Sequence, residues 1–193
     1  MATVADGAEA TGETGDEDLM LAYARGDPGS FDVLYGRHKG GVFRYLLRHC
    51  GSSAADELFQ DVWMNVIRAR TAYAPTAKFT TWLYRIAHNR VIDHWRASGE
   101  RVALDDDESR MEATPASRTS EPHVQAQSRE LRDRVDAALR ALPPLQRDAF
   151  LLHEETGLSL ADIATLTDTS LETVKSRLRY ANGRLRMLLE DLR

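Results

Sequence analysis

Residues Leu158–Arg186, LSLADIATLTDTSLETVKSRLRYANGRLR, predict two short helices joined by a tight turn. Ser159 precedes an apolar run and has Asp162 three residues later, the spacing of a helix start in which the two residues cap each other. Ala164 is small where a second helix has to approach closely. Asp168 interrupts the helical periodicity, and aspartate tolerates the left-handed backbone that such turns require. The pattern predicts a helical hairpin.

The second helix of this hairpin is predicted to have one buried and one basic side. Ser170, or Thr169 with an acid three residues on, supplies its N-cap. Its apolar residues recur at helical spacing, and cations flank them. Such a helix suits the DNA major groove, so we interpret the hairpin as a helix-turn-helix; an ordinary amphipathic hairpin with a solvated basic face is the alternative. The apolar residues are Val174, Leu178, Ala181 and Leu185, and the cations are Lys175, Arg177, Arg179, Arg184 and Arg186.

Composition favours a soluble all-α protein. Of 193 residues, 42% are hydrophobic, and they recur at helical spacing with almost no alternating strand pattern. The net charge of −5 is unusual for a nucleic-acid binder, but the acids are concentrated in the first 18 residues and around residues 105–108. Local fields steer encounters with DNA, so total charge is a poor guide.

The single cysteine and the amino terminus indicate an intracellular protein. Cys50 has no partner for an intramolecular disulfide, which fits a reducing cytoplasm. The first residues are acidic where a signal peptide is basic, and no apolar run approaches the length that spans a bilayer. We therefore expect a cytoplasmic location without membrane insertion.

Periodicity and composition predict four segments. Residues 1–17 are small, polar and acidic, as in a disordered tail. Residues 18–97 form a first helical domain, and residues 98–127 are an acidic, Ser/Thr/Pro-containing flexible linker. Residues 128–193 form a second helical domain that ends in the helix-turn-helix. The predicted fold is thus two small helical domains joined by a linker.

Two helices of the first domain carry polar faces. The predicted helix Ala54–Ala72 combines an apolar side with an acidic, amide-bearing side. After the loop Tyr73–Lys78, the helix Phe79–Arg96 carries aromatic and basic residues, a combination that suits single-stranded nucleic acid. From periodicity alone, a solvated acidic face and core aromatics are the simpler interpretations.

Three motifs in this order resemble the extracytoplasmic-function group of the sigma-70 family of bacterial sigma factors. Ala55–Trp63, ADELFQDVW, is similar to the family's core-binding signature in region 2. Thr81–Asn89, followed by Asp93 and Arg96, resembles the segment that reads the minus-ten promoter element. In region 4, Leu142-Pro143, Gln146-Arg147, Phe150-Leu151-Leu152 and Thr173–Leu178 follow the family order. The resemblance covers the chain from about Leu19 to Leu189.

The resemblance implies a promoter-recognition factor that binds core RNA polymerase and directs DNA melting and transcription initiation. The clamp helices of the largest polymerase subunit would contact the acidic face of the Ala54–Ala72 helix, and the flap of the second-largest subunit would hold region 4. No sigma region 1.1 or region 3 fits this length, and the resemblance implies a separate anti-sigma protein as inhibitor. The implied core-binding residues are Asp56, Glu57, Gln60, Asp61 and Asn65.

The resemblance also assigns the DNA contacts of both domains. The Tyr73–Lys78 loop would hold a flipped base of the non-template strand, which costs a few kcal/mol and therefore needs a fitted pocket. The implied minus-ten residues are Tyr73, Lys78, Thr81, Arg85, His88, Asn89 and Arg96. The implied minus-35 residues are Leu171, Glu172, Lys175, Ser176, Arg177 and Arg179.

Two other classes of function are less well supported. A stand-alone helix-turn-helix regulator of operator DNA would need a dimer interface, and no coiled-coil heptads supply one. An enzyme is not expected, because His153-Glu154-Glu155 is not the two-histidine zinc motif and there is no phosphate-binding loop. No cofactor, metal site or catalytic residue is predicted.

Overall fold

The computed structural model describes residues 14–99 and 124–190, with side chains from residue 130 in the second range. Both ranges are helical and contain no strand, which confirms the all-α prediction. None of the helices in them is sufficiently long and apolar to cross a membrane. The helices are α1 (Asp16–Ala24), α2 (Pro28–Cys50), α3 (Ser52–Ala69), α4 (Phe79–Ala97), α5 (Val124–Arg140), α6 (Pro144–Thr156), α7 (Leu160–Thr167) and α8 (Leu171–Leu188), and a 3-10 turn, Arg70–Ala72, follows α3.

Helices α1 to α4 form the N-terminal half. Asp27 caps α2 by accepting a hydrogen bond from the Gly29 amide at 3.0 Å, and Pro28 stands at the first helical position. Helices α2 and α4 approach closely at Gly41, where an added Cβ would lie 2.7 Å from the Tyr84 hydroxyl. The core of this half is large and aromatic, with Phe79 and Trp95 fully buried.

The structure moves two predicted segment boundaries. Helix α1 begins at Asp16, so the tail predicted for residues 1–17 includes its first turn; residues 1–13 of that tail lie outside the described residues. The linker predicted for 98–127 overlaps the start of α5, and residues 100–123 of it also lie outside. Both boundaries shift because a helix can begin in a polar, acidic stretch when a neighbouring helix holds it.

The C-terminal half comprises α5 to α8 around a smaller apolar core. Gly157 ends α6 in the left-handed conformation, with φ of 65°. Leu151, Leu152 and Ile163 are fully buried between α6, α7 and α8, and Val174 of α8 joins them. The two halves are in contact, since α2 packs against α5 and α6 while α4 packs against α7. Their apolar residues form one continuous core.

Candidate polymerase and DNA interfaces

The predicted core-binding residues lie on the solvent side of α3. Asp56, Glu57, Gln60 and Asp61 are exposed, and Asn65 is half-buried beside them; we call these five residues the α3 acidic face. Met64 lies among them with 44% of its surface exposed, which adds an apolar contact. On the opposite side Val62 and Val66 are fully buried. The helix is therefore anchored by one side and presents the other to a partner.

The loop before α4 is tied to α1, a contact that the sequence analysis missed. No side chain adjacent in sequence caps α4; instead the Glu17 carboxylate accepts a hydrogen bond from the Phe79 backbone amide at 2.6 Å. Asp16 holds α1 on α2 through Arg37 at 2.6 Å and His38 at 2.7 Å. An acid bonded to the first amide of a helix also faces the positive end of its dipole. The acids assigned to the tail therefore position the loop.

Tyr73 is the buried anchor of this loop. Its ring packs edge-on against Trp82, with centroids 5.1 Å apart, and only 7% of the residue is exposed. Burial, reinforced by the negative charges of Glu17 and Asp16, raises the pKa of Tyr73 to about 12. The predicted role of Tyr73 in base contact is not available to a ring held in this position. Lys78, at the other end of the loop, is exposed.

The predicted minus-ten residues of α4 divide into two groups. Arg85, Asn89 and Arg96 are exposed and line one flank of the helix. Thr81 and His88 are only 4% and 7% exposed. Helical spacing puts both groups on adjoining faces, but the packing of α7 on α4 covers one of them. In this arrangement only the exposed group is accessible to DNA.

The helix-turn-helix has the capping chemistry expected from its sequence. The Ser159 hydroxyl accepts a hydrogen bond from the Asp162 amide at 3.1 Å, and the Asp162 carboxylate accepts one from the Ser159 amide at 3.2 Å. This reciprocal pair holds the pKa of Asp162 below its ordinary value. Asp168 adopts the left-handed conformation with φ of 55° and ψ of 47°, and Ser170 caps α8 through the Thr173 amide.

Five of the six predicted minus-35 residues lie on the accessible side of α8. Lys175 pairs with Glu172 at 2.8 Å, and Arg179 lies over the Tyr180 ring at 4.9 Å, a stacking partner not foreseen from the sequence. Ser176 contributes to the shallow polar depression between these side chains. The five residues are the exposed Leu171, Glu172, Lys175 and Arg179 and the half-buried Ser176.

Arg177 differs from the other predicted minus-35 residues, because it is only 7% exposed. It lies three residues after Val174 and four before Ala181, so helical geometry puts it on the buried stripe and not on the basic flank. Its charge acts instead on His88 of α4, whose pKa it lowers. The assignment of Arg177 to DNA contact therefore does not fit this arrangement.

The comparisons with known proteins agree with this architecture. Residues 34–101 match the family model for sigma-70 region 2, and residues 132–181 match that for sigma-70 region 4. The chain is 30% identical over 168 residues to the ECF RNA polymerase sigma-E factor of Escherichia coli strain K12, covering 84% of this chain and 88% of that protein.

Two solved structures share the fold. One is CnrH in complex with the cytosolic domain of CnrY, with a TM-score of 0.69 and 21% identity, covering 92% of this chain and 99% of that one. The other is the sigma factor RpoE in complex with the anti-sigma factor NepR from Bartonella quintana, with a TM-score of 0.63 and 23% identity, covering 83% and 96%. The chain belongs to the extracytoplasmic-function group of the sigma-70 family of RNA polymerase sigma factors.

Proposed function

We propose that this sigma factor binds core RNA polymerase through the α3 acidic face and directs initiation by contacting two promoter elements. The observation that carries the proposal is the exposed row of acids and amides on a helix whose other side is fully buried. A rigid helix that presents charge and amide groups is suited to electrostatic complementarity, which sets specificity and association rate. The partner surface we propose is the clamp helices of the largest polymerase subunit.

The DNA contacts follow from the exposed groups on α4 and α8. Arg85, Asn89 and Arg96 would lie along the non-template strand of the minus-ten element, with the Tyr73–Lys78 loop next to the flipped base. Lys175 and Arg179 would enter the major groove of the minus-35 element. Region 4 would meanwhile rest on the polymerase flap.

The regulatory partner we propose is an anti-sigma protein. The RpoE structure contains one, and the two-part fold of this chain is the same. Working on RNA polymerase would place the protein in the cytoplasm. A stand-alone operator-binding regulator is not favoured, because both halves of the chain match sigma-70 regions and the similarity to the sigma-E factor extends over most of its length.

The decisive experiment measures affinity for core RNA polymerase. The double variant Gln60→Ala/Asp61→Ala should bind core at least about tenfold more weakly, while exposed substitutions usually change stability by less than about 0.5 kcal/mol. Asp32→Ala is the matched control, since Asp32 is an exposed acid on α2. Unchanged core affinity in the double variant, measured with its thermal melt, would refute the assignment of the α3 acidic face.

A further inference from the structure

A buried carboxylate joins the two halves of the molecule. Asp148 of α6 accepts a hydrogen bond from the Tyr45 hydroxyl of α2 at 2.6 Å. Its oxygens also lie 3.4 Å from His49 Nε2 of α2 and 3.0 Å from His88 Nδ1 of α4. The Asp148 side chain is 3% exposed, and that of His49 is fully buried. We call Tyr45, His49, His88 and Asp148 the polar cluster.

The polar cluster carries a balanced set of charges. Burial opposes ionisation of Asp148, but His88 and His49 outweigh burial and hold the pKa of its carboxyl well below the ordinary range. Burial also opposes a charged His88, yet the Asp148 carboxylate raises the His88 pKa against the opposing charges of Arg177 and Arg85. Around His49, burial lowers its pKa and Arg147 adds to that effect, while Asp148 opposes it. The Tyr45 phenol remains protonated because burial raises its pKa.

Ion pairs at the rim also cross between the halves. Arg48 of α2 contacts Glu155 of α6 and lies 3.6 Å from Asp136 of α5. Arg44 lies 3.2 Å from Glu155. At the other end Lys78, next to the minus-ten loop, lies 3.5 Å from Asp162 of the helix-turn-helix. Surface pairs like these contribute little individually, so they set register and the polar cluster holds the contact.

The chemistry of the contact is that of a separable surface. Asp148, the two histidines and the Tyr45 hydroxyl exchange one another for water when the halves part, so no apolar surface is stranded at that point. Buried charged groups also confer specificity of pairing more than net stability. The contact is therefore specific and reversible.

The contact is incompatible with simultaneous reading of both promoter elements. Elements centred 10 and 35 base pairs from the start lie about 85 Å apart at about 3.4 Å per base pair. A compact chain of 193 residues has a radius of gyration of roughly 16 Å, too small for that span. Residues 100–123 can reach at most roughly 80 Å when extended, so covalent geometry allows the halves to separate.

We propose that this arrangement is a closed, autoinhibited form in which the polar cluster holds region 4 over the DNA-contacting side of α4. The inference rests on the proposed minus-ten role of α4, since closure buries Thr81 and His88 and engages Lys78. The α3 acidic face stays exposed in the closed form. Core polymerase can therefore engage the closed chain first, and release of the polar cluster then uncovers α4.

The first test is the overall size of the full chain in solution. Asp148→Asn removes the charge that holds His88 and should shift the closed-to-open ratio by about ten- to hundredfold, the range for a hydrogen bond to a charged group. Small-angle X-ray scattering then gives a larger radius of gyration than for the parent. Glu154→Gln is the matched control, because it removes an exposed acid from the same helix.

A second variant guards against misfolding. Tyr45→Phe keeps the ring and removes only the hydroxyl that bonds Asp148, so it should also open the chain, to a smaller extent. Circular dichroism confirms that both variants retain their helices. Parent-like radii in folded Asp148→Asn and Tyr45→Phe would overturn the proposal.

The second test asks whether closure masks nucleic-acid contacts. A fluorescent random-sequence single-stranded oligonucleotide should bind Asp148→Asn up to as many times more tightly as the closed fraction has fallen. Glu154→Gln reports the purely electrostatic gain from losing one acid. Equal gains in the two variants, despite an open Asp148→Asn, would overturn autoinhibition. Core-polymerase affinity is measured separately, so a failure of the α3 assignment is distinguishable from a failure of this one.

Discussion

Replacing Glu17 with alanine is expected to destabilise the protein more than its position near the amino terminus suggests. The Glu17 carboxylate is the acceptor for the Phe79 amide, 62 residues away, at 2.6 Å. A hydrogen bond to a charged group contributes about 1.5–3 kcal/mol. Its loss also leaves the first turn of α4 without that cap.

These values translate into a measurable change in melting temperature. For 150–250 residues, each 1 kcal/mol shifts the midpoint by roughly 2–4 °C, so Glu17→Ala should melt roughly 3–12 °C below the parent. Glu17→Gln keeps an acceptor oxygen and should lose about half as much. Asp18→Ala is the control, because Asp18 is an exposed acid in the same turn of α1.

The same variant should affect promoter selectivity. Glu17 fixes the exit of the Tyr73–Lys78 loop, and ordering a loose loop at the moment of base capture adds an entropic cost. Transcription from a library randomised across the minus-ten element should show a flatter preference for Glu17→Ala than for Asp18→Ala. A melting shift below about 1 °C, together with an unchanged preference profile, would refute the structural role assigned to Glu17.

Three further predictions concern the DNA contacts and closure. Arg179→Ala should lower transcription from minus-35-dependent promoters by about 1–3 kcal/mol of binding, selectively at one base for a bidentate contact and uniformly for a phosphate contact; parent-like transcription from every promoter would mean that α8 is oriented differently. Exchanging residues 73–78 for the loop of a sigma factor with another minus-ten preference should alter selectivity at one or two bases and leave core affinity unchanged; an unaltered library profile would assign selectivity to α4. Compactness measured by scattering should peak near pH 6.5: the raised pKa of His88 favours closure fully below 6.5 and loses that contribution as the pH rises through it, whereas the lowered pKa of His49 favours closure above 6.5 and loses its contribution as the pH falls. His88→Gln should abolish the fall on the alkaline side, and a monotonic profile in the parent would contradict this reasoning.

Local chemistry is what the sequence determined by itself. The reciprocal caps of Ser159 and Asp162, the left-handed Asp168 and the buried stripe of α8 depend on residues within one or two helical turns of one another, so spacing alone predicts them. The same reasoning separates the acidic and apolar sides of α3. The family resemblance added the roles that spacing cannot supply.

Only the tertiary structure decided which of the predicted residues are accessible. Asp148 meets Tyr45 across 103 positions of sequence, and Glu17 meets Phe79 across 62, separations at which no periodic pattern links the partners. Arg177 and His88 look like other polar residues on amphipathic helices, but they are buried because one half packs on the other. Which polar side chains become buried depends on the pairing of helices distant in sequence, and that pairing is a property of the folded chain as a whole.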